Sequence, residues 1–227
     1  MEILSVTRST LQFLRKKIIT GELKPGQRLN ECGLSQELGI SRPPLREAFG
    51  VLEKDHLVAK IPRKGTFVTE LSLRDFEEIC QIREMVECFV VDLLKASGVR
   101  DLPKVTSAVD RGLALSRPLG RANPEELLNG INVLLDFHYV LIKSAGNSRI
   151  SRIYHSMSYN LARYQYIYFN VDGALQHSLD DHEKILELIK DNSYDQAKEK
   201  LREHIKYAAQ LVKSMIFDQA IISGSRY

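Results

Sequence analysis

Ile40-Ser-Arg-Pro-Pro-Leu-Arg-Glu-Ala48 is the stretch of this 227-residue chain that decides its fold. Ser41 can act as a helix N-cap. Pro43 and Pro44 then fall in the first helical turn. Backbone N–H groups there have no helical partner, so the missing N–H of each proline costs no helical hydrogen bond. The stretch therefore predicts a helix over residues 42–54. Its apolar positions repeat at helical spacing and form the expected core face: Leu45, Ala48, Phe49 and Leu52.

A short helix and a tight turn precede this helix. Asn30 can cap a helix that continues to Leu38, and Gly39 is a typical helix stop. Two helices joined by a short glycine-containing turn form a helix-turn-helix, whose second helix inserts its N-terminal residues into the major groove of DNA. Upstream of it, the apolar spacing over residues 4–20 predicts a further amphipathic helix.

Basic side chains on the second of these helices, and just after it, are candidates for DNA contacts. Arg42 and Arg46 lie one turn apart on one face, and arginine is well suited to bond guanine bidentately. Ser41 and the free N–H groups of the first turn suit a backbone phosphate. Extended runs around Pro62-Arg-Lys-Gly65 predict a hairpin with a basic tip. A single arginine on a helix is most often only solvated, but the whole pattern favours DNA binding.

The remainder of the chain differs in charge and in proline content. Residues 1–71 hold 12 Lys or Arg and 8 Asp or Glu, whereas residues 72–227 hold 20 and 21. No proline follows Pro124, and apolar residues recur at helical spacing. We expect a mainly α protein, with a winged helix-turn-helix in residues 1–71 and an all-α bundle of six helices in residues 72–227.

Composition excludes several classes of protein. Apolar residues make up 44% and charged residues 27% of the chain, as in ordinary globular proteins and unlike disordered or collagen-like ones. The three cysteines, Cys32, Cys80 and Cys88, include no Cys-x-x-Cys pair and argue against a disulfide framework. No apolar run reaches about 18 residues, and the N-terminus lacks a secretory pattern. We expect a cytoplasmic protein without a membrane helix.

Histidine spacing in the second part indicates a site. His182 and His204 lie at matched distances from a predicted turn near residue 193. Two antiparallel helices joined there place both imidazoles at the same height, because the rise per residue is equal on both arms. Imidazole is a common ligand of zinc and other transition metals, and His138 on an earlier helix would be the third ligand. The other histidines are interpreted as structural or exposed: His56, His155 and His177.

Three motifs in the first part resemble the GntR family of bacterial repressors. Residues 21–29 match G-x-L-x-P-G-x-x-L, residues 40–48 match [V/I]-S-R-x-P-[V/L]-R-E-A, and residues 63–68 match the wing pattern x-x-G-x-x-V. Many members have threonine at position 43, so one hydroxyl contact is missing where this chain has proline, and a contact with a thymine methyl group could replace it. The resemblance implies DNA contacts from Ser41, Arg42, Pro43, Arg46, Lys64 and Gly65.

The helical part resembles the FCD-type effector domain of the FadR subfamily. The resemblance is carried by residues 82–87, 137–138, 145–147, 181–185 and 203–204. It implies a homodimer on a palindromic operator, a small carboxylate effector, and Zn²⁺ or another divalent transition metal in the helical domain. The implied metal ligands are His138, His182 and His204. The candidate effector contacts are Arg83, Asn147, Asn160 and Arg163.

Two positions leave alternatives open. Many family members carry aspartate four residues before the equivalent of His138, but here that position is Leu134, and Asp136 points to nearly the opposite face of the helix. Three histidines without a carboxylate suit zinc with water or effector, and suit a weak or absent metal equally well. Arg83 can face an effector carboxylate or pair with Glu87 one turn further on.

The leading interpretation is a ligand-responsive transcriptional regulator, with repression favoured over activation. One alternative is a metal-dependent hydrolase that uses the three-histidine site. A hydrolase also needs a general base near its water, and Leu134 removes the best-placed carboxylate. No His-Glu-x-x-His, Gly-x-Ser-x-Gly or phosphate-binding glycine loop occurs, so we expect no enzyme. A third interpretation is a DNA-binding protein whose bundle holds no ligand.

Overall fold

The computed structural model of the protein forms two compact units, Met1–Ser72 and Leu73–Tyr227. The structure describes residues 2–99, 102–114, 124–168, 171 and 173–223. Among these residues, no helix is both long enough and apolar enough to cross a membrane.

The first unit is a winged helix-turn-helix, as predicted. Its sheet is antiparallel in the order β1-β3-β2, and the wing is the hairpin of β2 and β3, with Lys60 opposite Thr66. Strand β1 was not predicted, because two residues are too few to show a periodic pattern. The elements are α1 (Glu2–Ile19), β1 (Arg28–Leu29), α2 (Glu31–Leu38), α3 (Arg42–Lys54), β2 (Val58–Ile61) and β3 (Gly65–Val68).

Helix α3 buries the face that the sequence predicts. Leu45, Ala48, Phe49 and Leu52 are all fully buried. Ser41 occupies the N-cap position, but its side chain makes no capping hydrogen bond, so the expected cap is wrong. The reason is chemical: a capping side chain accepts from the second or third N–H of the helix, and here those residues are prolines, which have none.

Helix α2 is capped at both ends as predicted. Asn30 Oδ1 accepts from the backbone N–H of Cys32 at 3.0 Å and of Gly33 at 3.3 Å. Gly39 ends the helix with φ of +63°, a left-handed conformation that glycine adopts without steric cost.

We expect Asn30→Ala to destabilise α2 locally, because it leaves two first-turn N–H groups without their acceptor. The loss should be about 1 kcal/mol, or roughly fivefold in local opening. Amide hydrogen exchange over residues 31–38 of the full chain measures this. Asn30→Ser, which keeps an acceptor oxygen, is the matched control and should exchange at nearly the wild-type rate. Equal exchange in Asn30→Ala would contradict the capping role.

The second unit is an all-α bundle, and its described residues form six helices, as predicted. Within the predicted helical domain, residues 100–101, 115–123, 169–170, 172 and 224–227 lie outside the described residues. Cys80 and Cys88 are buried free thiols on one helix. The helices are α4 (Leu73–Ser97), α5 (Pro103–Leu113), α6 (Pro124–Ser144), α7 (Ser148–Tyr168), α8 (Ala174–Lys190) and α9 (Tyr194–Ser223).

Polar side chains from several of these helices are buried together in the bundle. Helix α4 packs against α6, α7 and α9, and α8 packs against α9. On α4, Val90, Val91 and Leu94 form part of the apolar core. The same helix also buries a guanidinium and a carboxylate at Arg83 and Glu87. Buried charges are rare unless they are paired, so this part of the bundle is a candidate functional site.

Candidate DNA-binding surface and metal centre

The predicted DNA contacts on α3 are exposed and close together in the chain. Ser41, Arg42, Pro43 and Arg46 all lie within the first two turns of the helix and are solvent-accessible. An expected contribution from the first-turn N–H groups is only partly available. Because Pro43 and Pro44 have no N–H, Arg42 supplies the only first-turn N–H of α3 ahead of Leu45. Phosphate binding there would depend on that one group and on the Ser41 hydroxyl.

The wing carries Lys64 and Gly65 at its exposed turn. Lys64 N–H donates to the Ile61 carbonyl at 3.0 Å, and Gly65 has φ of +112°, which favours glycine. The Arg28 guanidinium lies against Gly65, and a Cβ built on that glycine would be 3.3 Å from Arg28 Nε. Strand β1 thus adds a basic side chain at the wing. Arg28 is not a predicted contact, because its place beside the wing depends on strand pairing and not on local sequence.

Both arginines of α3 contact the first turn of α2. Arg46 Nε donates to Glu31 Oε2 at 2.9 Å. Arg42 Nη2 donates to Cys32 Sγ at 3.5 Å. Arg46 and Glu31 are 15 positions apart in the chain, and Arg42 and Cys32 are 10 apart, so no local spacing rule could have predicted these contacts.

Three histidines meet inside the second unit: His182 and His204, whose spacing about a turn predicts that they lie together, and His138 from an earlier helix. His138, His182 and His204 are 1%, 2% and 4% exposed. Each offers one ligand nitrogen, and these atoms lie within 4.8 Å of one another. Among the described residues this is the group of three that could hold a metal ion. The Phe137 ring stacks on His182 with centroids 4.1 Å apart and limits its rotation.

Carboxylates orient two of the three imidazoles. Glu87 Oε2 lies 2.8 Å from His138 Nδ1, and Asp181 Oδ2 lies 3.2 Å from His204 Nδ1. An ionised carboxylate can only accept, so each Nδ1 carries the proton and each Nε2 presents its lone pair. His138 Nε2 lies 3.1 Å from His182 Nε2. Carboxylate–histidine pairs of this kind commonly support metal-binding histidines.

Glu87 and Asp181 were not predicted to orient the histidines. Asp181 belongs to a quoted motif, and Glu87 was named only as a salt-bridge partner of Arg83. Lys200 Nζ donates to Asp181 Oδ1 at 2.6 Å, and Tyr154 Oη donates to Glu87 Oε1 at 3.1 Å. The contacts come from other helices and depend on how each helix is rotated.

Arg83 takes one of the two roles that were left open, the pair with Glu87, and also reaches the histidine cluster. Its Nε donates to Glu87 Oε1 at 3.0 Å, which is the expected ion pair one turn along α4. Its Nη2 lies 3.1 Å from His138 Nε2, at the edge of the histidine cluster. Arg83 is 2% exposed. Burial alone would lower its pKa, but the Glu87 carboxylate offsets this and holds the pKa above its ordinary value.

The cluster is electrically balanced before any ligand enters. Burial lowers the pKa of His138 to about 4 and also lowers the pKa of His182 and His204, so all three imidazoles are neutral at pH 7. Burial would raise the pKa of Glu87, but His138 and Arg83 together hold it well below its ordinary value. The positive charge of Arg83 then balances the negative charge of Glu87, and Lys200 balances Asp181 in the same way.

The other predicted effector contacts all belong to α7 or precede it directly. Asn147 Oδ1 accepts from the N–H groups of Arg149 and Ile150, both at 3.1 Å, so it caps α7. Asn160 and Arg163 are buried, at 8% and 3% exposure. The capping bond is a structural role for Asn147, and an effector contact from these three residues stays a prediction.

The donor set fits a transition metal. Neutral imidazoles are suitable ligands, and two nitrogens bound to one tetrahedral zinc ion at about 2.0–2.1 Å lie roughly 3.3 Å apart, close to the 3.1 Å between His138 and His182. Leu134 is buried in the core, and Asp136 pairs with Arg111. Neither position supplies a fourth ligand, as the sequence predicts. When bound, an ion of this kind would supply an open coordination position for an anionic ligand.

Two family models match the chain. The model described as "Bacterial regulatory proteins, gntR family" matches residues 4–68. The model described as "FCD domain" matches residues 78–207, which is more than half of the chain. The chain therefore belongs to the GntR family of bacterial transcriptional regulators and carries an FCD domain.

The chain is similar to several transcriptional regulators over most of its length. YdhC of Bacillus subtilis (strain 168), an uncharacterized HTH-type transcriptional regulator, is 26% identical over 215 residues, covering 91% of this chain and 92% of that protein. The gluconate operon transcriptional repressor of Bacillus licheniformis is 26% identical over 174 residues, covering 77% and 68%. A GntR-type regulator from Rhodococcus sp. RHA1 of known structure has a TM-score of 0.73 and 25% identity, covering 92% and 98%.

The family and these relatives are transcriptional regulators and not enzymes. This confirms the expected class of protein and leaves the hydrolase alternative without support.

Proposed function

We propose that this protein is a ligand-responsive repressor of the FadR subfamily. As a homodimer it binds a palindromic operator through residues 1–71. Its helical domain, residues 72–227, binds a small carboxylate effector together with a divalent transition metal and mediates dimerisation. The observation that carries the proposal is the buried cluster of three neutral histidines with the Arg83 guanidinium at its edge, in a chain that belongs to a family of DNA-binding regulators.

The proposed operator contacts are Ser41, Arg42, Pro43 and Arg46 on α3, with Lys64 and Gly65 on the wing. Their exposure, the helix-turn-helix and the family match support this assignment. Arginine bonds to guanine O6 and N7 give base discrimination, whereas the hydroxyl of Ser41 suits a phosphate. A two-fold symmetric protein requires a site with matching symmetry, so a dimer predicts a palindrome.

The proposed effector is anionic because of the charges around the cluster. Arg83 is a buried cation 3.1 Å from His138 Nε2, and its own counter-ion, Glu87, is already in place. A divalent ion on the same histidines adds positive charge beside Arg83, and uncompensated buried charge is costly. A carboxylate compensates the charge of the metal ion and can accept two hydrogen bonds from a guanidinium. Metal and effector should therefore strengthen each other's binding.

Repression is proposed because the relatives with an assigned role include repressors, such as the gluconate operon repressor of Bacillus licheniformis. Allosteric control then means that effector binding and operator binding bias one conformational equilibrium, so the effector lowers operator affinity and the operator lowers effector affinity equally.

The test is an in vitro selection from random duplex DNA with the full-length protein at one stated salt concentration. A short palindromic consensus is the expected result. The selected duplex then serves as a probe while Zn²⁺, a chelator and a panel of small carboxylates are added. Release of DNA by one carboxylate, weakened by the chelator, supports the proposal. A folded, metal-supplemented protein that enriches no sequence would contradict it.

We expect Arg46→Ala to weaken binding to the selected operator by about 1–3 kcal/mol, because a bidentate contact to a base is lost. The preference for one base pair in each half-site should relax with it. Fluorescence anisotropy titrations with the operator and with single-base variants measure both effects.

Lys17→Ala is the matched control for Arg46→Ala. Lys17 is a basic residue of the same unit, on α1, where it pairs with Glu37 at 3.1 Å. Its loss should leave base preference intact. An Arg46→Ala protein with unchanged operator affinity would remove Arg46 from the proposed contacts.

A further inference from the structure

The guanidinium of Arg46 is held by an acidic residue of the neighbouring helix. The bond from Arg46 Nε to Glu31 Oε2 is 2.9 Å long. Glu31 is the first residue of α2, where a carboxylate also interacts favourably with the positive end of the helix dipole. Asn30 caps the same turn. The carboxylate therefore has a defined position without DNA.

The ion pair between Glu31 and Arg46 has no evident advantage for affinity or for folding. The side chains of Arg46 and Glu31 are 64% and 33% exposed. Ion pairs this exposed contribute little to stability. A carboxylate next to a proposed DNA contact also repels phosphates and weakens binding to any sequence. A role in specificity accounts for it better.

The geometry of the bond indicates that role. A guanidinium has five N–H donors in one rigid plane, and a bond through Nε leaves both terminal Nη groups free for two parallel bonds. Guanine presents N7 and O6 side by side in the major groove. We infer that Glu31 is a positioning residue that sets the plane of Arg46 for end-on contact with a guanine. The inference rests on the proposed function, in which Arg46 contacts a base.

The expected effect of Glu31→Ala has two opposite parts. Discrimination against other bases at the pair contacted by Arg46 should fall roughly 3- to 10-fold, because a long side chain must then be ordered on binding. Affinity for random duplex should rise, because one negative charge has left the surface. A residue needed only for folding would lower both affinities.

Fluorescence anisotropy titrations of the full-length protein measure these effects at one salt concentration. The DNA set contains the selected operator, its single-base variants and a random duplex of equal length. Arg46→Ala identifies the base pair concerned, as the one whose preference it removes. Glu31→Gln keeps an acceptor oxygen without the charge, so it should retain part of the discrimination while still binding random duplex more tightly.

Glu37→Ala is the matched control, because Glu37 lies on the same helix and pairs with Lys17 rather than with α3. It removes one negative charge and should leave base discrimination unchanged. Circular dichroism shows whether each variant is folded.

Three outcomes overturn the inference. If Arg46→Ala changes no base preference, the proposed role of Arg46 fails and the inference fails with it. If Arg46→Ala removes a preference that Glu31→Ala fully retains, only the inference fails. If both Glu31 variants lose affinity for operator and random duplex alike, Glu31 is a structural residue.

Discussion

Glu87→Gln should lower the free energy of unfolding of the helical unit by about 3–5 kcal/mol, the usual cost of breaking a buried ion pair by removing one partner. Glu87 is fully buried and accepts hydrogen bonds from Arg83, His138 and Tyr154. Glutamine has nearly the same shape but no charge, so it leaves the Arg83 guanidinium buried without a counter-ion. Urea denaturation of the full chain in the presence of a chelator, followed by circular dichroism, measures the loss.

Glu84→Gln is the matched control on the same helix. Glu84 is half-exposed and pairs with Arg202 at 3.3 Å on the surface, where ion pairs are worth at most about 1 kcal/mol. A Glu87→Gln protein that loses no more stability than Glu84→Gln would contradict the buried ion pair.

His182→Ala should reduce the affinity for Zn²⁺ by more than the roughly 10- to 100-fold that is typical when only a hydrogen-bond partner of a ligand is lost. The substitution removes one of three donor nitrogens, and the described residues around the cluster offer no carboxylate in the position of Leu134. Competition with a chromophoric chelator measures the dissociation constant without reference to DNA binding.

Two further variants in the same assay separate ligand loss from general damage. Glu87→Gln should fall between wild type and His182→Ala, because it removes only the orienting contact to His138 Nδ1. His155→Ala should bind Zn²⁺ like wild type, since His155 is exposed and its ring contacts are with Tyr139 and Tyr159, outside the cluster. Equal Zn²⁺ affinity in His182→Ala and wild type would remove the histidines from the proposed metal site.

Much of the fold could be predicted because its rules act over one or two turns. A cap at Asn30, a stop at Gly39 and apolar spacing on α3 each depend on neighbours within a few positions. The positions of His182 and His204 could also be predicted, because two helices joined by one turn have the same rise per residue and so place both imidazoles at the same height. The exception on α3 is instructive: Ser41 has the right position for a cap, but the prolines after it carry no N–H.

The chain by itself thus determined its helices, its winged helix-turn-helix, its family and the three histidines of the candidate site. Only the tertiary structure decided which contacts support those residues. The contacts are those of Glu87 with His138, of Asp181 with His204, of Arg83 with both Glu87 and His138, and of Glu31 with Arg46. Each contact except the pair of Arg83 with Glu87 joins different elements. Its existence depends on the rotation and approach of those elements, which packing sets and local sequence spacing does not.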